Sequence, residues 1–172
     1  MGISFHEASV GCYAQVLKSV AGVLAKGAEH AQAADLSLQD IVEYKLHDDM
    51  MPFHFQVVST CHHSWGALQG MRAGRFTPPS FAMDKSYADL QALVDEALAG
   101  VNSVTAADAE ELADGSMVFA IGEREMPFTN QNFLLSFSLP NFYFHATTTY
   151  DILRTLGVPL GKMDFLGQMR IG

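Results

Sequence analysis

Apolar residues return every three or four positions through four long stretches of this chain, and that period dictates helices. In the first stretch, Ser4 to His30, the residues Val10, Tyr13, Val16, Leu17, Val20, Val23 and Leu24 share one face. Ala is abundant there and Pro absent, which favours a long helix. Gln32 to Asp35 break it, and Ser37 with Asp40 has the form of an N-terminal cap for a short helix over Leu38 to Leu46. A second long helix is predicted from near Asp49 through Met71, with Pro52 in its first turn and Gly74 at its end. A third begins near Ser86, capped with Asp89, and Thr105 to Leu112 add a short turn. The last runs from about Asn130 to Leu156; Pro140 inside it predicts a kink or a break.

The period changes once. Met117 to Ile121 and Arg124 to Phe128, about Gly122-Glu123, read as a β-hairpin at about 116–129, before the last helix. Two strands alone are marginal, so the hairpin must pack on helices or on another subunit. Gly74 to Ser80, with Pro78-Pro79, read as a loop, and the tail from Gly161 to Gly167 as a segment lying on the surface. Four long amphipathic helices with short connections predict an all-α, up-down four-helix bundle forming one domain over residues 1–172.

Charge removes one class of function. A net charge of −9, with basic residues scattered singly, repels phosphate backbones, so nucleic acid is not an expected partner. Cys12 and Cys61 are isolated, which disfavours a disulfide scaffold or a cysteine zinc site. With no basic n-region before an apolar block and no apolar run of spanning length, a cytoplasmic protein without a membrane segment is expected. No nucleophile elbow or phosphate loop is present, and Cys61 beside His62 does not make an activated pair, because adjacent helical residues do not face one another.

The last helix carries the strongest functional signal. Leu134, Ser138, Asn141, His145, Thr148, Ile152 and Leu156 form one row, apolar at its ends and polar in its middle. If the row faces the core, those polar groups must be hydrogen-bonded together or open to a pocket. On the second helix Asp49, Gln56 and His63 recur by sevens. Opposite His145 they would line an inter-helix pocket of Asp49, Gln56, Asn141 and Thr148, with His145 as acid/base if there is chemistry. The simpler alternative is a hydrogen-bonded core histidine, with Gln56 and Asn141 as interior partners and Asp49 as a cap. Seven histidines invite a metal, but His145 has Thr149 rather than a second ligand at i+4; His145 with His63 or His54 would be the set.

Several segments also resemble a known family. Leu139-Pro140-Asn141-Phe142-Tyr143-Phe144-His145, then Thr148, Tyr150, Ile152-Leu153-Arg154 and Gly161 to Gly167, resemble the C-terminal signature of an uncharacterised family of this length. Asp49-Met50-Met51-Pro52 with Gln56-Val57 resembles its second-helix motif. This domain of unknown function is grouped with the DinB/YfiT-like four-helix-bundle superfamily, whose metal-binding members carry one His on the second helix and a His-xxx-His pair on the last. The resemblance implies a bundle, often dimeric. His145 matches a last-helix position, whereas Thr149 stands where its partner His would be and Gln56 where a second-helix ligand would be. Amide and hydroxyl oxygens replace imidazole poorly on zinc or nickel, so no metal is the favoured expectation. The sequence therefore predicts a small-molecule-binding homodimer, with enzymatic activity open. The alternatives are a divergent zinc or nickel metalloenzyme (a hydrolase or thiol-dependent transferase) and a non-catalytic structural or stress-related dimer.

Overall fold

The computed structural model describes residues 2–171. Its first long helix spans Glu7–Ala33; a π-helical turn, Glu7–Gly11, opens it and α1, Cys12–Ala33, continues it. By length and composition this helix could cross a membrane, against the expectation that no apolar run reaches spanning length. Here it is a core element: Tyr13, Leu17, Val20 and Leu24 are buried against the other helices.

Ser37 accepts from the Asp40 N–H and caps α2, Leu38–Glu43, which ends sooner than predicted because Tyr44 turns extended. The second long helix starts at α3, Phe53–Cys61, passes through a π-helical turn at His62–Gly66, and ends as α4, Ala67–Ala73. Pro52 is extended and stands just outside it, so the predicted start near Asp49 is corrected. Asp49 lies in a turn, where its carboxylate meets His47 Nδ1 at 2.6 Å. Gly74 closes α4 with φ 72°, a left-handed conformation glycine adopts without strain.

The third long helix, α5 (Tyr87–Asn102), carries a complete capping box between Ser86 and Asp89. Thr105 and Asp108 form another on α6, Ala106–Ala113. The last long helix combines α7 (Asn130–Phe133), a third π-helical turn (Leu134–Ser138) and α8 (Leu139–Thr155). Pro140 does not break it. The Leu139 N–H reaches back five residues to the Leu134 carbonyl, so the widened turn precedes the residue that lacks an N–H. The tail is more regular than expected: α9, Lys162–Leu166, packs on α1, and Lys26 pairs with Asp164 at 2.6 Å.

The hairpin falls where the sequence put it, and one unforeseen strand joins it to make a three-stranded sheet. β2 (Ser116–Ile121) pairs antiparallel with β3 (Arg124–Thr129), Ser116 opposite Thr129. β1, Arg75–Phe76, adds itself parallel to β2 within the stretch read as loop. Met117 and Phe119 point into the core, while β3 is largely exposed and carries Pro127, as an edge strand can.

Around the bundle α1 packs on α5 and α8, and α3 on α8 and α5. Tyr13 meets Phe142 edge-on at 5.1 Å, and Phe53 stacks on Tyr87 at 5.8 Å. One polar chain runs through this apolar interior. Ser138 donates to the His63 carbonyl at 2.7 Å, which leaves its oxygen to accept from the Tyr13 hydroxyl, also at 2.7 Å. Replacing Ser138 with Ala strands two buried groups at once, so urea denaturation is expected to show a loss of about 1–3 kcal/mol. A Tyr13→Phe/Ser138→Ala double-mutant cycle is expected to show coupling; additive losses would mean the two hydroxyls act separately.

Candidate functional site

Pairing of α3 with α8 brings Gln56 beside His145. His145 Nδ1 lies 2.7 Å from Gln56 Oε1, and Gln56 Nε2 donates to the Met51 carbonyl at 2.8 Å. These contacts fix the chemistry in sequence. A carbonyl only accepts, so the amide nitrogen faces Met51 and the amide oxygen faces His145. That oxygen also only accepts, so Nδ1 carries the proton. The other ring nitrogen, Nε2, is left with a free lone pair in the neutral ring.

His145 is half-buried, and burial lowers its pKa to about 4. The His63 ring lies 5.8 Å away and near-parallel, at 15°. His63 is buried, and its pKa falls to about 3, through burial first and then through His145 and His62. Its Nδ1 is fully enclosed and has no hydrogen-bond partner. Aromatic rings complete the surroundings. Phe55 sets its edge to His145 at 5.9 Å, Phe81 stacks on Phe55 at 5.2 Å, and Phe144 lies 5.2 Å from His145. Phe81 and Phe144 are largely exposed, at 62% and 55%, so the imidazole sits within an apolar surface patch.

The remaining predicted residues are placed less favourably. Asp49 is exposed on its turn and does not share a face with Gln56 and His63. Asn141 donates to the Phe137 carbonyl at 2.7 Å, and Thr148 to the Phe144 carbonyl at 2.8 Å, so both are turned back on their own helix. His54 is buried on the other side of Phe55 in sequence; its Nε2 accepts from the Lys85 N–H at 3.2 Å, and burial lowers its pKa. The structure thus brings together His145, Gln56 and His63. Sequence reasoning missed the aromatic rim, although Phe55 and Phe144 flank Gln56 and His145 in the chain.

Gln56 and Thr149, which stand where the resemblance implies histidine ligands, are engaged within the protein. Gln56 spends its oxygen on His145 Nδ1, and Thr149 donates its hydroxyl to the His145 carbonyl at 2.9 Å. Among the described residues no group of three His, Cys, Asp or Glu side chains could hold a metal ion.

The chain is a bundle of four long helices, with the His145 imidazole held between the second and the fourth. The chain belongs to the family described as domain of unknown function DUF1993, whose model matches residues 5–166. Among solved structures it is similar to the crystal structure of a DinB family member from Shewanella denitrificans, with 22% identity and a TM-score of 0.79. The likeness covers 97% of this chain and 94% of that one, and it shows the fold. No curated protein matches the chain.

His145 and His63 give the fold a defined response to acid. Their pKa values, about 4 and about 3 in place of 6.5, mean that only the unfolded chain takes up these protons between those limits. Stability is therefore full above pH 6.5 and falls as pH drops towards the folded values. The slope approaches about 1.4 kcal/mol per pH unit for each such histidine. Denaturant midpoints measured against pH are expected to show a shallower acid limb in His63→Phe; an unchanged limb would show that His63 is not the group.

Proposed function

We propose that the protein binds a small organic molecule at the His145 patch, through one hydrogen-bond donor on an otherwise apolar body. The observation that carries this reading is the Met51–Gln56–His145 relay, which holds Nδ1 as a donor and leaves Nε2 an acceptor. The ligand's N–H or O–H docks on Nε2, and its apolar part lies against Phe55, Phe81 and Phe144.

The pKa narrows what His145 can do chemically. At neutral pH an imidazole whose pKa burial lowers to about 4 is largely unprotonated, which favours an acceptor or base over a general acid. It accepts a hydrogen bond or, from a suitably acidic ligand, a proton. Catalysis would require the latter.

p-Cresol, which offers a phenolic O–H, is expected to give saturable NMR shifts of the His145 ring protons, and 4-methylanisole, which lacks the donor, is not. The p-cresol shifts of the Phe55 and Phe144 ring protons should vanish in His145→Ala. Equal shifts with both compounds, or none with either, would contradict the reading.

Zinc and nickel offer the competing account, supported by the free Nε2 and the unpartnered His63 Nδ1. Elemental analysis of tag-free protein is expected to show no stoichiometric metal. About one metal per chain, lost in His145→Ala, would replace the organic ligand with a metal centre.

We further propose that the protein forms a homodimer. Ile3 and Leu135, 81% and 60% exposed, line one apolar recess of about 430 Å³ with Phe5 and Leu134, which supports self-association there. Leu135→Glu is expected to lower the sedimentation mass to that of a monomer; an unchanged mass would move the interface elsewhere.

A further inference from the structure

A second recess, of about 340 Å³, opens between the second and third long helices, on residues the His145 patch does not use. Trp65 and Leu93 supply apolar surface to it, and His62, Lys85, Glu96 and the buried Cys61 thiol are its charged or titratable groups. Trp65 is the chain's one tryptophan, and it packs so closely on α5 that a Cβ at Gly100 would lie 2.5 Å from the indole.

The polar groups of this recess agree in character. His62 Nε2 meets the Thr77 carbonyl at 2.7 Å, so Nε2 carries the proton. Burial lowers the His62 pKa, which keeps the ring neutral and makes Nδ1 an acceptor. Nδ1 lies beside Gly66, another lining residue; a Cβ there would come within 3.0 Å of it. None of the ion pairs among the described residues includes Glu96. Lys85 is neutralised by Asp84 at 3.0 Å. A neighbouring recess of about 410 Å³ shares Lys85, Leu93 and Glu96 and adds Asp84 and Asp89, the latter held by Ser86, so three carboxylates line it beside one ammonium. An indole, a free carboxylate and an imidazole acceptor all favour a cation that carries N–H donors.

We propose that this recess binds a small organic amine with an apolar, preferably aromatic, body. The ammonium group is held by Glu96 and His62 Nδ1, and the apolar body lies across Trp65 and Leu93. Phosphates and carboxylates are disfavoured by the same groups.

The single tryptophan provides the test. 2-Phenylethylamine is titrated against Trp65 fluorescence, with phenylacetate as the counterpart of like shape and opposite charge. A saturable change is expected with the amine alone. Glu96→Gln, an exposed substitution, should weaken binding by about two- to fivefold, as befits a solvent-exposed ion pair. Gly66→Ala, which crowds His62 Nδ1 without breaking the helix, should weaken it as well. His145→Ala should leave the amine titration unchanged, which separates this site from the His145 patch. Equal responses to both compounds, no saturable response, or wild-type affinity in Glu96→Gln would overturn the proposal.

Discussion

The hydrogen-bonded chain from Tyr13 through Ser138 to the His63 carbonyl is the constraint on which the rest of the bundle depends. It joins the first, second and last long helices in the middle of an apolar core. Two of its members lie in π-helical turns, Ser138 in Leu134–Ser138 and His63 in His62–Gly66, and Tyr13 follows the third such turn, Glu7–Gly11. A π turn widens a helix by one residue and rotates everything beyond it, a distortion that persists only where other contacts select it. Here the selecting contacts are polar and buried, so an altered register would leave them unpaired at a cost of about 1–3 kcal/mol each. The same widening lets Pro140 sit inside a continuous helix.

Register then decides the site. With α3 and α8 locked side by side, Gln56 lands within hydrogen-bond reach of His145, and His63 comes near-parallel to it. Burial keeps both imidazoles neutral, and the Met51 carbonyl, acting through Gln56, decides which nitrogen of His145 holds the proton. An amide in place of a carboxylate matters here. A carboxylate on Nδ1 would favour imidazolium and raise the pKa, whereas a neutral amide orients the ring without charging it. The chain therefore presents an acceptor to its surroundings, framed by exposed phenylalanines.

Much of the fold was legible in the sequence because its signals are local. The caps at Ser37, Ser86 and Thr105, the stop at Gly74 and the change of period at Met117 each involve a few neighbouring residues. β1 was not legible, since two residues carry no period and become a strand only by pairing with Val118 and Phe119. The site was half legible. The polar row on the last helix does face inward, with Leu134, Ser138, Thr148 and Ile152 buried. Asp49 was misplaced because counting by sevens presumes a helix, and the chain there is a turn before an extended Pro52. Asn141, Thr148 and Thr149 show a further limit. A short polar side chain within a helix can satisfy itself on a carbonyl one turn back, and spacing cannot tell that from a side chain aimed at a pocket. The Gln56–His145 pairing depends on the axial offset of two helices, which no single sequence states.

The protonation of His145 decides what the patch can bind, and nitrogen-15 NMR of the histidine rings reads it directly. The relay through Gln56 predicts a neutral ring at pH 7 with the proton on Nδ1, titrating near the value of about 4 that burial imposes. A ring protonated on Nε2, or one titrating near 6.5, would show that the relay does not hold His145 and that the patch offers no acceptor.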